Sequence, residues 1–271
     1  MAADGTWVMS DAVPTPRGTA ALDAVAALGS RLIAACGPVT AAGVLVPGIV
    51  DPGRRMGLYS ANVGWSDLDL GGPLDRAWQV PVGVGHDVTW AGLAEAATGA
   101  ARETSDFAFV ALGTGISAAI MSGGRMLTRP GAQPGELGHV VIRPGGPQCS
   151  CGARGCLESI ASARAIATAY GVPSAGEVFS AAAGDERARR VIETATDALA
   201  DGLALLVALV APERIVLGGG LSLAGAALAE PVSKALAGRV RVQPVPGVVL
   251  AAHREQAGLA GAALLARTVQ P

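Results

Sequence analysis

The stretch GELGHVVIRPGGPQCSCGARGCLES, residues 135–159, carries three of the four cysteines of the chain and one of its three histidines. His139, Cys149, Cys151 and Cys156 place one imidazole and three thiols within 18 residues, a ligand set that zinc binds tetrahedrally. The alternatives are a disulfide or three unrelated buried thiols, but three clustered cysteines cannot all pair. Because four protein ligands leave no open coordination position, we expect a structural zinc site rather than a hydrolytic one.

Apolar strands and helices alternate along the rest of the chain. Strands are predicted at 41–51, with a break at Pro47-Gly48, at 80–87, at 106–115 and near 247–251. Helices are predicted at 21–37, 88–101 and 256–267, with a long one whose apolar stripe runs from Ala188 to Leu206. A hairpin over 117–128 turns at Gly123-Gly124, a capping box is expected at 174–177, and 214–225 reads as strand, glycine turn and helix. This alternation predicts a mostly parallel sheet covered by helices.

The composition excludes several classes of protein. With 51% hydrophobic and 15% charged residues, the 271-residue chain can bury a sizeable core. A net charge of −2 provides no broad attraction for nucleic acid or anionic lipid. The sequence contains neither an apolar run of bilayer length nor a leader pattern. We therefore expect a cytoplasmic protein without nucleic acid or membrane partners, in a compartment where clustered cysteines favour metal over disulfides.

The quoted stretch closely resembles the zinc-loop signature of the ROK family, named for repressors, open reading frames and sugar kinases. Four further stretches are similar to other segments of that family. They are GVLVPGIVDPGRRMGLYSANVGW (43–65, sugar domain), GHDVTWAGLAE (85–95, catalytic turn), ALGTGISAAIMSGGRML (111–127, second phosphate loop) and IVLGGGLS (215–222, adenosine side). The resemblance extends from about residue 5 to the C-terminus.

The resemblance implies an actin-like ATPase, hexokinase-like (ribonuclease H-like) α/β fold with two domains of mixed sheets flanked by helices. It implies a small sugar and phosphate domain over 1–86, joined by the C-terminal helix 256–271, and a large domain over 87–255 with the zinc loop and the nucleotide side. The implied activity is ATP-dependent phosphorylation of a hexose at its primary hydroxyl, with Mg²⁺ accompanying ATP. Members of the family are commonly homodimers or homotetramers.

The resemblance also implies roles for individual residues. Asp87 matches the general base that takes the proton of the attacking hydroxyl, a role that phosphoryl transfer requires. On the residues alone, an aspartate between a strand and a helix is more readily an N-cap. The positions implied to bind the sugar are Asn62, His86, Asp87, Glu136, His139 and Glu158, and those implied to bind the nucleotide are Gly113, Thr114, Gly115, Gly218, Gly219 and Gly220.

These assignments have simpler alternatives. Either glutamate taken alone is plausible as a solvated loop charge, and a glycine triplet is more often a tight turn. His86 stands where the family usually has an asparagine that contacts the sugar, and imidazole is bulkier and titrates near neutral pH. The identity of the sugar is therefore open.

One family segment has no counterpart here. The form Asp-x-Gly-Gly-Thr-Lys, which supplies the first strand and phosphate loop, is missing, and the chain begins MAADGTWVMSD with Asp4-Gly5 as the hairpin turn that normally follows. Its loss would leave an unpaired sheet edge and remove amides that cradle the phosphate. Either Met1 is a misplaced start or the chain has lost catalysis. We expect the misplaced start, because a chain without chemistry has little reason to keep Asp87 and every zinc ligand.

Three functions remain in competition at this point. The first is a glucokinase-like hexose kinase that takes hexose, ATP and Mg²⁺ and carries structural Zn²⁺. The second is a kinase of an N-acetyl amino sugar, which the sequence pattern does not separate from the first. The third is a non-catalytic sugar-binding protein or regulator, in keeping with the missing phosphate loop.

Overall fold

The computed structural model describes residue 1 and residues 6–129 and 131–269. The helices are α1 (Ala20–Cys36), α2 (Gly71–Trp78), α3 (Asp87–Thr98), α4 (Glu158–Ala161), α5 (Ala163–Tyr170), α6 (Ala175–Ala181), α7 (Glu186–Val210), α8 (Ala226–Ala237) and α9 (Ala257–Thr268). The strands are β1 (Ala42–Val46), β2 (Ile49–Asp51), β3 (Met56–Ser60), β4 (Trp65–Asp69), β5 (Val82–His86), β6 (Phe107–Leu112), β7 (Ile116–Ser122), β8 (Arg125–Met126), β9 (Arg214–Gly218) and β10 (Gly247–Leu250). Short 3-10 helices cover Leu137–His139, Gly220–Ala224 and Arg254–Gln256.

The described residues group into two compact units. One contains the described residues of 1–91, 128–133 and 258–271, and the other contains Gly92–Leu127 and Pro134–Ala257. The domain boundaries expected from the sequence, 1–86 with 256–271 and 87–255, stay a prediction. Asp4-Gly5, the expected hairpin turn, lies outside the described residues. Within the described part of the chain, no helix combines the length and apolar character needed to cross a bilayer.

The first unit contains two small sheets. Strands β1 and β5 pair in parallel, with Val46 opposite His86, while β2, β3 and β4 form an antiparallel sheet. Every residue of β5 is buried, because its glycines leave room for close neighbours: a Cβ on Gly85 would lie 2.2 Å from Nε1 of Trp90. This buried strand fixes the position of His86 and of the first turn of α3.

The alanine-rich helix α1 packs against α2 in the same unit. The indole Nε1 of Trp78 donates a hydrogen bond to the carbonyl of Ala26 at 3.0 Å. A Cβ on Gly29 would lie 2.3 Å from the Trp78 ring, so the ring rests directly on the backbone of α1. Strand β1 has β5 as its strand partner among the described residues.

The second unit is built on a five-stranded sheet with the order β10-β9-β6-β7-β8. Strand β6 lies at its centre and is parallel to β9 but antiparallel to β7. The sheet is mixed, as the resemblance implied, and β7 and β8 form the predicted hairpin. The expectation of a mostly parallel sheet is wrong for the pair β6 and β7, because the turn after β6 returns the chain directly rather than through a helix. The predicted apolar stripe of α7 is buried, including Leu199 and Leu203.

Candidate active site and metal centre

Asp87 is the first residue of α3 and follows the last residue of β5. Its Oδ1 accepts a hydrogen bond from the N–H of Val88 at 2.7 Å, and its side chain is 42% exposed. The N-cap expected of Asp87 is instead supplied by His86, whose Nδ1 accepts the N–H of Thr89 at 3.3 Å. The cap alternative is therefore wrong for Asp87, because the imidazole of the preceding residue reaches the third helical amide.

Burial and charge have opposite effects on the pKa values of Asp87 and His86. Burial raises the pKa of Asp87 above its usual value, against the lowering effects of His86 and of backbone hydrogen bonds. Burial also lowers the pKa of His86, against the raising effect of the Asp87 charge. The Nε2 atom of His86 lies 3.3 Å from Oδ1 of Asp87. A partly exposed carboxylate with a raised pKa next to a neutral imidazole is suited to accept a proton.

Asn62 lies in the turn between β3 and β4 and is exposed. No hydrogen bond or ion pair joins it to Asp87 in the described part of the first unit. The structure therefore presents Asn62 on a short loop without bringing it into direct contact with the aspartate.

The two glycine turns of the second unit meet at one edge of its sheet. Gly113, Thr114 and Gly115 follow β6, while Gly219 and Gly220 follow Gly218, the last residue of β9. Because β6 and β9 are adjacent and parallel, both turns lie at the carboxyl edge. Gly219 has φ +78°, and a Cβ there would lie 2.5 Å from the carbonyl oxygen of Leu112. Only glycine permits this close approach, and exposed turn backbone of this kind can approach a phosphate.

The predicted metal ligands converge. The four ligand atoms of His139, Cys149, Cys151 and Cys156 all lie within 4.8 Å of one another. The Sγ atoms of Cys151 and Cys156 are 3.7 Å apart, and Zn–S bonds of about 2.3 Å give a tetrahedral edge of about 3.8 Å. All four cysteines of the chain are free thiols, which argues against the disulfide alternative. The arrangement can hold zinc.

Burial has a direct consequence for the thiols of this cluster. It raises the pKa of Cys156, which is fully buried, to about 12. A metal ion binds the thiolate, so it must displace a strongly held proton at this position. The donor set fits zinc by ligand type and spacing, and the raised pKa makes uptake of the ion at this position dependent on pH.

His139 links the cysteines to Glu136. Its Nδ1 lies 3.6 Å from Sγ of Cys149, while its Nε2 lies 3.8 Å from a carboxylate oxygen of Glu136. The preceding Gly135 has φ +98°, and a Cβ there would lie 1.9 Å from the carbonyl oxygen of Ala118. This glycine lets the loop bearing Glu136 pack directly against β7. One ring nitrogen of His139 therefore faces the thiol of Cys149 and the other faces the carboxylate of Glu136.

Glu158 lies two residues after Cys156, at the start of α4, and its residue is only 8% exposed. Its Oε2 accepts the N–H of Ile116 at 3.0 Å, and its Oε1 accepts a hydrogen bond from Ser150 at 3.3 Å. Arg164 lies 3.4 Å from Oε1. The carboxylate is thus a held acceptor rather than a solvated loop charge, and it retains lone pairs for a further donor.

The second unit therefore brings together the predicted glycine turn and the predicted glutamate. A Cβ on Gly115 would lie 2.5 Å from Oε2 of Glu158. The sequence interpretation missed Arg164 and Ser150, which hold this carboxylate, and Thr89, whose amide is capped by His86. Only Thr89 had a visible signal, its place three residues after a polar residue at a strand end.

A second overlooked group fastens the cysteine loop to α7. The Arg143 guanidinium, within the loop, lies 2.5 Å from Oδ2 of Asp201, and Nε of Arg239 lies 2.5 Å from Oδ1. Burial opposes ionisation of Asp201, but hydrogen bonds from Arg239 and Arg143 hold its pKa below the usual value. The loop is therefore held against α7 by an ion pair that does not depend on the thiol cluster.

Comparisons with known proteins agree on one family. The sequence profile of the ROK family matches residues 1–269. The chain is 35% identical over 279 residues to an N-acetylmannosamine kinase of Escherichia fergusonii, covering 98% of this chain and 92% of that protein. It is 33% identical over 213 residues to a glucokinase of Halalkalibacterium halodurans, covering 71% of this chain and 64% of that protein, a little under two thirds of its length.

A solved structure gives the same result. The ROK family glucokinase from Streptomyces griseus, in complex with glucose and AMPPNP, has a TM-score of 0.81 and 29% identity, covering 94% of this chain and 90% of that one. This likeness confirms the actin-like, hexokinase-like α/β fold. The chain belongs to the ROK family.

Proposed function

We propose that this chain is an ATP-dependent sugar kinase in which Asp87 is the general base. The observation that carries the proposal is the partly exposed carboxylate of Asp87, whose pKa is raised by burial, at the junction of a buried strand and a helix. A base with a raised pKa accepts a hydroxyl proton more readily than an ordinary aspartate does.

The proposed reaction transfers the γ-phosphoryl group of ATP to the primary hydroxyl of the sugar. The hydroxyl oxygen forms a bond to the γ-phosphorus as the bond from that phosphorus to the β,γ-bridging oxygen breaks. The hydroxyl proton passes to Asp87 and then to water, leaving a sugar phosphate and ADP. Mg²⁺ bound to the nucleotide supplies charge neutralisation for this step. The glycine turns, with Gly113 and Gly219 at the edge of the sheet, offer backbone N–H groups for the nucleotide.

The cysteine loop is proposed to bind the sugar. The carboxylates of Glu136 and Glu158 accept hydrogen bonds from hydroxyl groups, and the Nε2 side of His139 and the amide of Asn62 add further polar groups. A Zn²⁺ ion held by His139 and the three cysteines would fix this loop and would take no part in the chemistry. A wrong epimer would leave buried polar groups unpaired, at a cost of about 1–3 kcal/mol each.

Glucose is the first substrate to test. The glucokinase complex of Streptomyces griseus, with a TM-score of 0.81, supports a hexose. The match to an N-acetylmannosamine kinase over 98% of this chain favours an N-acetyl amino sugar as the second candidate. A non-catalytic regulator is the rival from another class, and a ROK family transcriptional regulator also has a TM-score of 0.81, at 27% identity and covering 94% of this chain and 70% of that one.

The test is a coupled assay of ADP release with a panel of hexoses and N-acetyl amino sugars. The proposal predicts ADP release that depends on a sugar, with one phosphorylated sugar formed per ADP. Binding of a sugar with no turnover would contradict the kinase and support the regulator.

A further inference from the structure

His86 uses both of its ring nitrogens within the first unit. Its Nδ1 lies 3.3 Å from the N–H nitrogen of Thr89 and 3.2 Å from the hydroxyl of the same residue. Its Nε2 lies 3.3 Å from Oδ1 of Asp87. The ring is almost entirely buried, with 6% of the residue exposed, so these neighbours define what the imidazole can do.

The cap determines which nitrogen carries the proton. A backbone N–H can only donate, so Nδ1 of His86 must present a lone pair to Thr89. The Thr89 hydroxyl accepts a hydrogen bond from the side-chain amide of Gln133 at 3.2 Å, which leaves its own hydrogen free to point at Nδ1. The proton of a neutral ring is then on Nε2, facing the aspartate.

The surroundings also disfavour the doubly protonated ring. Protonation at Nδ1 would set two donors against each other at the cap, and the positive end of the α3 dipole lies at the same place. Burial acts in the same direction, because it penalises the charged form of an imidazole. The charge of Asp87 opposes these effects but leaves the pKa of His86 below its ordinary value.

We propose that His86 is a positioning residue: it caps α3 with Nδ1 and holds the carboxylate of Asp87 with its Nε2–H. The resemblance to the family places His86 among the sugar-binding positions, as the asparagine is in relatives. With both nitrogens engaged inside the protein, the imidazole instead acts through the aspartate. The separation of 3.3 Å is an electrostatic contact rather than an aligned hydrogen bond, and the Nε2–H dipole favours the ionised carboxylate at this distance.

The tautomer can be measured without any turnover, so this test is separate from the proposed kinase activity. The chain has three histidines, and ¹⁵N-histidine labelling with His86→Gln as the assignment control resolves the ring nitrogens of His86 by NMR. Near neutral pH, the proposal predicts an unprotonated Nδ1 and a protonated Nε2. A proton on Nδ1, or a fully protonated ring, would overturn it.

Two substitutions separate the cap from the contact with Asp87. His86→Asn keeps an acceptor near the Nδ1 position but loses the donor at Nε2, whereas His86→Gln keeps a donor near Nε2 but loses the cap. The kinetic predictions for these two substitutions rest on the proposed kinase function. We expect His86→Asn to lower kcat by about tenfold or more, because a carboxylate that is no longer oriented is less often in the reactive geometry, with the KM for the sugar unchanged.

His86→Gln should keep kcat within a few-fold of the wild type while lowering the melting temperature. His253→Gln, at a histidine outside this pair whose Nε2 contacts the Thr98 hydroxyl, is the matched control and should leave kcat unchanged. The opposite pattern, in which His86→Asn keeps kcat and changes the KM for the sugar, would make His86 a sugar ligand and overturn its role as a positioning residue.

Discussion

The junction of β5 and α3 and the cysteine loop over residues 135–158 hold their polar groups in different ways. At the junction, a fully buried strand leads directly into a helix, and a side-chain cap fixes the first turn. In the loop, the backbone depends on glycines such as Gly135 and Gly155, both with positive φ, and four side chains that could ligate a metal ion lie together. The first arrangement is made by regular secondary structure, whereas the second combines tight turns with clustered ligands.

Because of this difference, we expect the two regions to respond differently to mutation and to loss of a metal ion. The position of Asp87 follows from strand pairing and helix capping, which form without a metal ion. The position of Glu158 follows from a loop whose thiols include Cys156, with a pKa raised to about 12. Under the proposed function, damage to the junction should reduce turnover, while damage to the loop should weaken binding of the sugar.

The largest expected effect is that of Asp87→Asn. The amide cannot accept the hydroxyl proton, so kcat should fall by about 10²–10⁴-fold, the usual contribution of general base catalysis. Steady-state kinetics with the accepted sugar measures the change, with Asp67→Asn on the exposed part of β4 as the matched control. A near-normal kcat for Asp87→Asn would remove this residue from the role of base.

Next in size is the loss of the metal ligand set. Cys156→Ala should abolish retention of zinc, lower the melting temperature and weaken binding of the sugar at least about tenfold, since a structural metal contributes directly to folding of its loop. Elemental analysis, thermal melting and calorimetry measure these three quantities. Cys36→Ala, at the exposed cysteine of α1, should leave all three unchanged. Equal zinc content in the two variants would contradict the site.

A smaller effect is expected from Gly115→Ala. The added Cβ would approach Oε2 of Glu158 to 2.5 Å, so the carboxylate must shift and lose its bond from Ile116. We expect the KM for the sugar to rise by about tenfold, the worth of one hydrogen bond to a charged group, with a smaller change in kcat. Gly184→Ala, with no atom within 4 Å of the new Cβ, is the control. An unchanged KM would show that Glu158 does not bind the sugar.

The smallest effect is expected at the anchor between the loop and α7. Asp201→Asn removes the charge that pairs with Arg143 and Arg239. The side chain is 29% exposed, so we expect a loss of about 1–2 kcal/mol in the free energy of unfolding. Asp197→Asn, which affects only the more exposed contact with Arg239, should lose less in denaturant titrations. Equal losses would mean that the loop gains nothing from Asp201.

Sequence patterns predicted the buried strand β5 and the longer helices better than the short strands and helices between them. The periodicity of β5, α1, α7 and α9 and the Gly123-Gly124 hairpin are confirmed, as is the capping box, where Ser174 accepts the N–H of Glu177. Strands β3 and β4 were missed, because each has only five residues without a regular polar and apolar alternation, and they are stabilised by pairing with each other. Helices α2, α4 and α5 were missed because short helices depend on tertiary packing more than on local pattern.

The candidate site shows the same division. Clustered thiols can be recognised from spacing alone, and the structure brings them together with His139. The partners of Glu158 and Asp201 come from residues distant in sequence, such as Ile116 and Arg239. No local pattern encodes such pairs. The sequence also could not show that His86 rather than Asp87 caps α3, since this depends on which side chain reaches the amide of Thr89.

The most direct test is a calorimetric titration of the accepted sugar into Asp87→Asn, once with its metal retained and once after removal of the metal by chelation. If the junction provides the base and the loop binds the sugar, metal-loaded Asp87→Asn should bind the sugar with nearly the wild-type Kd although it does not turn over. The metal-stripped variant should bind at least about tenfold more weakly, because the loop no longer holds its carboxylates. Equal affinity in both samples, or loss of binding in the metal-loaded variant, would contradict this assignment of roles.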